Sequence, residues 1–433
     1  MAEPVDRLFV HCKELVTLTD GPATRARRGA AMQALGVVED GAIAVRDGRI
    51  VATGPTDRIA REYRAADELD LSGHVVLPGF VDAHTHPVFA RTREHEFHLR
   101  CAGADYMAIA AAGGGILSSM RAVREMPLEQ LVARTERHLW GFAAHGTTTV
   151  ECKSGYGLSL ADEEKSLLAL QQAAARVPVQ TKRTFLGAHE FPPEYRQDRD
   201  AYVRLLCEQM IPRCSRLADY CDVFAEPGVF DRAQSERVLA AARQHGLRLR
   251  MHADEIQPMG GAELAVQLGA DSADHLGRIS DAGIAAMAGS DTVGILLPGT
   301  ILFLAKPHYA PARRMIDAGC AVAIATDFNP GSCYTQSMTL VMTLACAQMK
   351  MRAEEVITAA TINPAFSLQL DGEVGTLHPG KRADLCVLDI PSWRAVGYAF
   401  GGNPVVMTVK NGVPIVANVT EQNPDWGAAG RSH

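Results

Sequence analysis

Two hydrophobic patterns divide this chain. Near the start, Leu8-Phe-Val10, Ala42-Ile-Ala-Val45 and Arg49-Ile-Val-Ala52 are short apolar runs that read as strands, with Asp47-Gly48 as a hairpin turn. Near the end, 385–388, 405–410 and 413–416 behave alike, with Asn411-Gly412 as the turn. Two β-rich ends around a different middle predict one small β-sandwich domain built from both termini, residues 1–74 and 375–433. Residues 17–38 and 419–433 fit no element, and the last dozen are expected to be disordered.

The middle, 75–374, alternates. Apolar strand-like runs fall at 75–83, 147–151, 181–187, 222–225, 247–252, 271–274, 291–297 and 321–326. Most are continuous rather than alternating, as strands buried on both faces require. Helical patterns separate most of them, at 127–145, 161–176, 199–218, 232–245, 260–268, 280–288 and 310–318. Pro127 opens the first of these helices and Gly146 follows its end. Further helices are expected at 336–349 and 353–369. Eight strands alternating with helices predict an α/β fold, a (β/α)8 TIM-like barrel.

Length and composition fit a barrel plus a smaller unit: 433 residues, 47% hydrophobic and 21% charged. A net charge of −7 argues against nucleic acid or an anionic membrane as partner, so an anionic substrate needs a local cation. The 10 cysteines form no C-x-x-C pair and read as reduced thiols. The opening Met1-Ala-Glu-Pro does not look like a signal peptide, and no apolar stretch is long enough to span a bilayer. A cytoplasmic protein is expected.

In such barrels the active site lies at the C-terminal ends of the strands. Those ends carry His84 and His86, then Glu151 and Lys153, His189, Glu226, His252 with Asp254 and Glu255, His275 and, after the eighth, Asp327. The seventh end offers no such group. Residues two apart on a strand share a face, so His84 and His86 can reach one ion. Imidazole suits zinc, iron, nickel and copper. With His252 and Asp327 they make a plausible mononuclear site that leaves a place for water. His189 and His275 read as ligands, proton shuttles or substrate donors. Asp82 and Asp274, close before histidines, read as supporting groups. Arg91 and Arg93 follow the histidine pair, where an arginine can clamp a carboxylate through two parallel hydrogen bonds. Gly155 and Gly157, and the cluster Ala111-Ala-Gly-Gly-Gly-Ile116, permit close backbone approach, but no phosphate-binding pattern accompanies them.

The stretch Asp82-Ala-His-Thr-His-Pro87, with the later His252 and Asp327, resembles the amidohydrolase superfamily. Within it the chain is similar to the imidazolonepropionase family, through Gly103-Ala-Asp-Tyr-Met, Lys153-Ser-Gly-Tyr-Gly-Leu158, Phe185-Leu-Gly-Ala-His-Glu190, His252-Ala-Asp-Glu255, Ser272-Ala-Asp-His-Leu276 and Ala325-Thr-Asp-Phe-Asn-Pro-Gly-Ser332. Gly380-Lys-Arg-Ala-Asp-Leu and Val409-Lys-Asn-Gly412 resemble the superfamily's second β domain. The resemblance implies hydrolysis of 4-imidazolone-5-propanoate, a small anionic cyclic amide, to N-formimidoyl-L-glutamate in histidine catabolism. It implies one divalent ion, zinc or iron, on His84, His86, His252 and Asp327. It carries substrate contacts onto Arg93, Tyr156, His189, Glu255, Asn329, Gly331 and Ser332. Binuclear relatives place a bridging lysine after the fourth strand; Glu226 stands there and favours one ion. Cys333-Tyr334 departs from the expected small residue and Pro.

The implied mechanism uses a metal-activated water, with Asp327 or Glu255 as general base and His275 and His189 stabilising the oxyanion or donating to the leaving nitrogen. Superfamily relatives suggest a homodimer. The rival readings are another cyclic amidase or a nucleobase deaminase, which has no need for Arg93, and a non-catalytic barrel scaffold, which has no need for four ligands.

Overall fold

Eight parallel strands run in chain order around the middle of the molecule: Phe80–Asp82, Thr147–Lys153, Gln180–Ala188, Tyr220–Ala225, Arg248–Ala253, Ser272–His275, Val293–Leu296 and Val322–Ile324. In this order they are the first to the eighth strand. This computed structural model describes residues 2–103 and 114–417. The C-terminal dozen residues, expected to be disordered, and part of the 111–116 glycine cluster lie outside the described residues.

The barrel closes through the segments just beyond its first and eighth strands. Asp327 N donates to His84 O at 3.0 Å and His86 N to Phe328 O at 2.8 Å. Thr326 donates from N (3.1 Å) and Oγ1 (2.6 Å) to the buried Asp82 carboxylate. The chain after the first strand is therefore stitched to the chain after the eighth, where the candidate ligands stand.

Helices pack outside. Leu128–Ala144 begins after Pro127, buries Leu131, Leu139 and Phe142, and stops before Gly146, whose φ of +83° suits glycine. The helix expected over 199–218 is broken into Arg199–Leu205, a π turn at Leu206–Met210, and Ile211–Cys214. Pro212 has no N–H for the carbonyl four residues back, which favours a wider turn there. Two helices absent from the sequence pattern, Glu94–Cys101 and Ile116–Glu125, come after the first strand.

The apolar run at 75–83 is not one strand. Val75–Pro78 pairs antiparallel with Leu385–Leu388, Val76 opposite Val387, and belongs to the terminal sheet. Only Phe80–Asp82 enters the barrel. Gly79 is the joint: a Cβ there would lie 2.5 Å from the Thr148 side chain. The terminal sheet runs 413–417, 405–410, 385–388, 75–78, 7–16, 37–46, 49–55, with 67–70 beside 7–16. It curls so that Phe9, Ile43, Val387 and Val409 share one apolar core. Both expected turns are present, with positive φ at Asp47, Gly48, Asn411 and Gly412. Lys410 ties this sheet to the barrel, donating to Asp384 (2.6 Å) and to Thr148 O (3.1 Å).

Candidate metal centre and active site

Three buried atoms converge at the C-terminal mouth of the barrel. His84 Nε2 and His86 Nε2 stand 3.4 Å apart, and Asp327 Oδ1 lies 3.6 and 3.5 Å from them. His84 Nδ1 meets Asp274 Oδ2 at 2.6 Å, so the ring proton sits on Nδ1 and Nε2 presents a lone pair. Burial, reinforced by Lys153 and the neighbouring imidazoles, holds His84 well below its usual pKa. Burial does the same for His86. Two neutral imidazoles thus face the Asp327 carboxyl group with their Nε2 atoms. Four ligands set tetrahedrally at ~2.1 Å are ~3.4 Å apart, so the spacing fits a divalent ion. His252 approaches His84 with ring centroids 4.5 Å apart. Its Nδ1 is 2.9 Å from Asp222 Oδ2, which turns Nε2 toward the cluster. His275 also has a ring nitrogen within 4.8 Å of atoms of His84 and His252.

A buried layer of charge lies beneath. Lys153 Nζ contacts Asp222 Oδ2 (2.8 Å), Glu151 Oε1 (2.9 Å) and Asp274 Oδ2 (3.9 Å). Arg250 Nη2 stands 3.7 Å from Asp274 and donates to Ala83 O at 2.8 Å. Burial pushes Asp274 up to about 6, against the pull of Arg250 and Lys153. Burial opposes ionisation of Asp222 as well, but His252 and Lys153 outweigh it and keep the carboxylate charged. These groups charge-balance the floor of the centre and fix two imidazole orientations.

The residues expected to contact substrate surround the same mouth. Asp327 Oδ2 accepts from Thr300 Oγ1 at 2.5 Å, and burial pushes its pKa up to about 7. Asp327 and His275 both have positive φ, 52° and 75°, a costly conformation that clusters at functional sites. Glu255 Oε2 lies 3.6 Å from His275 Nδ1 and Oε1 3.5 Å from Lys306 Nζ. Burial would raise Glu255, but His275 and Lys306 hold it below the ordinary carboxylate range. A cavity of about 10 Å³, one water's worth, opens between Glu255, His275 and Pro298. His189 faces Gly155 O through Nδ1 at 2.9 Å, and burial lowers it to about 3. Tyr156 lies between His86 and His189, with centroids at 6.1 and 5.3 Å. Asn329 donates to Asp327 O (2.7 Å) and accepts from Gly331 N (2.9 Å), Ser332 N (2.7 Å) and Ser332 Oγ (3.0 Å). Arg93 is seated on Gly331, whose added Cβ would meet Nη1 at 2.2 Å. Arg91 instead points to solvent, with Glu125 3.7 Å away.

The matches to known proteins run along nearly the whole chain. The Amidohydrolase family profile matches residues 75–415, and the Imidazolonepropionase-like composite domain of bacteria matches 41–66. The imidazolonepropionase of Symbiobacterium thermophilum is 47% identical over 419 residues, covering 95% of this chain and 98% of that one. That of Parabacteroides distasonis is 48% identical over 392 residues, covering 90% and 94%. The chain belongs to the imidazolonepropionase family. Among solved structures, a zinc-bound adenosine deaminase from Xanthomonas campestris superposes with a TM-score of 0.72 at 20% identity, over 99% of this chain and 97% of that one. Guanine deaminase from E. coli gives 0.75 at 16%, over 95% and 100%. At such identity the likeness speaks for the fold alone.

For this family member, sequence reasoning missed groups that no strand end displays. The seventh strand looked empty, yet the segment after it supplies Thr300 to Asp327 and Lys306 to Glu255. Asp222 and Arg250 lie within strands read as apolar; a charge inside such a run was the available signal. Glu226 is at the fourth strand's end as expected, but its oxygens accept from Ile256 N (2.7 Å) and Gln257 N (3.3 Å), bracing the loop beside Glu255. The departure at Cys333-Tyr334 leaves the loop closed: Cys333 is buried and its carbonyl accepts from Asn329 N at 2.8 Å.

Proposed function

We propose that this protein hydrolyses the cyclic amide 4-imidazolone-5-propanoate to N-formimidoyl-L-glutamate, a step of L-histidine catabolism. The observation that carries this reading is 47% identity along 95% of the chain to an imidazolonepropionase. In it, His84, His86, His252 and Asp327 hold one divalent ion, zinc or iron, either of which accepts imidazole ligands. Glu226, committed to two backbone amides, supports a single ion. A divalent ion held there supplies Lewis acidity and lowers the pKa of a water to about 7.

The protein's own groups do the rest. Water adds to the ring carbonyl carbon, the carbonyl C–N bond breaks, and the nitrogen leaves as part of the formimidoyl group. Asp327, with Oδ1 toward the two imidazoles and Oδ2 on Thr300, is placed to take the water's proton. Glu255, ionised beside Lys306, accepts a hydrogen bond from the substrate ring. His189 was expected as a possible donor. Its Nδ1 proton is directed at Gly155 O, so the neutral ring presents an acceptor instead. His275 is lowered to about 4 by burial, and its Nδ1 is outside hydrogen-bond reach of Glu255, so it remains the donor to the developing oxyanion. Arg93 binds the propionate, and Tyr156, Asn329, Gly331 and Ser332 line its approach, restricting orientation.

The reading extends to the terminal β unit as a domain joined to a catalytic barrel, and to a cytoplasmic homodimer. Ten free cysteines support a reducing compartment, and among the described residues no helix is long and apolar enough to cross a membrane. The test is turnover of freshly prepared 4-imidazolone-5-propanoate by metal-loaded protein, reading formimidoylglutamate directly. Chelator-sensitive conversion is expected. A protein that holds metal and leaves this substrate intact sinks the reading and points to other cyclic amides or aminated nucleobases.

A further inference from the structure

Arg93 does not stand alone. It immediately precedes the helix Glu94–Cys101, and Glu96, three residues on, turns back onto it. Glu96 Oε1 accepts from Arg93 Nε at 2.9 Å and Oε2 from Nη2 at 2.7 Å. Glu96 Oε1 also accepts from Gly115 N at 3.0 Å, at the start of the helix Ile116–Glu125. The carboxylate is therefore itself fixed from a second element. Side-chain exposure is 8% for Glu96 and 14% for Arg93.

A guanidinium has two edges that can each grip a carboxylate, Nε with one Nη and the two Nη together. Glu96 takes the first. The second edge is left, and Nη1 has no hydrogen-bond partner among the described residues. That end of the group lies over Gly331, where a Cβ would sit 2.2 Å from Nη1 and 2.3 Å from Cζ. The Gly331 loop is held in turn: Arg100, on the same helix, donates to Gly331 O at 3.1 Å, and Asn329 ties the loop to Asp327 O. One helix thus aims a cation with Glu96 and pins with Arg100 the loop beneath it.

We infer that Glu96 is a positioning residue of the reaction, which holds the Arg93 guanidinium so that its open edge receives the substrate carboxylate. This rests on the reading that Arg93 binds the propionate. An acid three residues along a helix from an arginine is commonly a surface pair of little consequence. Here Glu96 is buried and Arg93 largely covered beside the loop that follows Asp327, and the pair uses only the edge that leaves the other free. Without Glu96 the guanidinium turns about its side-chain bonds, and ordering it falls to the substrate.

The test is a double-mutant cycle of Glu96→Gln and Arg93→Ala. It is measured with 4-imidazolone-5-propanoate and with its uncharged propanamide analogue. Glu96→Gln is expected to raise KM for the acid about tenfold with kcat within about twofold, the size of one weakened charged contact. It should leave KM for the amide unchanged, and add nothing in the Arg93→Ala background. An unchanged KM for the acid overturns the inference, as does an equal rise for both substrates or a full effect without Arg93. If Arg93→Ala itself leaves the KM of the acid unaltered, the propionate reading fails and the inference with it. An effect of Arg93→Ala with none of Glu96→Gln removes Glu96 alone. Should Glu96→Gln not fold, Glu96→Asp asks the same question, because it keeps the charge and withdraws it by one methylene; the same selectivity for the acid is expected.

Discussion

Asp222→Asn isolates the floor of the candidate metal centre. The carboxylate has two jobs. Oδ2 lies 2.8 Å from Lys153 Nζ and 2.9 Å from His252 Nδ1, while Oδ1 accepts from the backbone N–H of Val223 (2.7 Å) and His252 (3.1 Å). All of these side chains are buried. An ion pair at 2.8 Å attracts by about 6 kcal/mol at an effective dielectric of ~20. Desolvation offsets much of that, and breaking a buried pair costs about 3–5 kcal/mol in practice. The amide has the same shape, so no cavity adds to the loss, and Lys153 keeps Glu151 at 2.9 Å. A stability loss of about 3 kcal/mol is therefore expected, at the low end of that range. The second job is orientation. An amide NH2 turned toward His252 Nδ1 forces the ring proton onto Nε2, which removes the lone pair aimed at the cluster. Loss of such a supporting carboxylate weakens metal binding by about 10–100-fold. The assay is urea unfolding of the metal-free variant, paired with metal affinity by competition with a chromophoric chelator. Wild-type metal affinity in a destabilised variant would refute the hold on His252 and leave Asp222 as a partner of Lys153 only. Wild-type values of both quantities would refute the whole account of the floor.

His252→Ala should lose metal and activity together, so an active, metal-replete variant removes His252 from the ligand set. Metal affinity should fall as pH drops through about 7, because burial raises Asp327 to about 7 in the metal-free protein and the proton competes for the same oxygen. Equilibrium dialysis at pH 6 and pH 8 checks this, and equal affinity at the two values counts against Asp327 as a ligand. Gly331→Ala should raise KM for the substrate by at least about tenfold, since a Cβ 2.2 Å from Arg93 Nη1 must displace the guanidinium; unaltered kinetics would mean that Arg93 lies elsewhere when substrate binds. Thr300→Val removes the 2.5 Å donor to Asp327 Oδ2 and should lower kcat about tenfold with stability changed by about 1 kcal/mol. A variant with wild-type kcat would show that this hydrogen bond does not tune the carboxylate.

The elements legible in the sequence were those whose pattern is local. Continuous apolar runs marked the barrel strands, because a strand covered on both faces must be apolar along its length. The two turns at 47–48 and 411–412 were visible because both central residues need positive φ. The polar groups at the strand ends gave most of the candidate site, since the end of an apolar run is where the chain meets the mouth. Even the joint at Gly79 is a local feature, but its meaning is not. Nothing in Val75-Val-Leu-Pro-Gly-Phe-Val-Asp82 says that its halves serve different sheets; that depends on Leu385–Leu388 arriving beside the first half. The helix over 199–218 is interrupted for a reason that is itself local, the missing N–H of Pro212.

By itself, then, the sequence determined the barrel, the pairing of two terminal β segments, the identity of the ligand-capable residues and the family they resemble. These come from periodicity, turn chemistry and motifs, which are properties of neighbours along the chain. Only the tertiary structure decided which atom of each residue faces which. His84 Nε2 points at the cluster because Asp274, 190 residues away, accepts a hydrogen bond from its Nδ1, and His252 does so because of Asp222. His84 and His86 lie beyond the first strand and are held in place by backbone bonds to 327–328. Burial in common, which no segment possesses alone, moves Asp327 toward neutrality and keeps the His84 and His86 imidazoles uncharged. Desolvation and hydrogen bonding act through space, so tautomer, charge and aim are set only when distant strands close into one barrel.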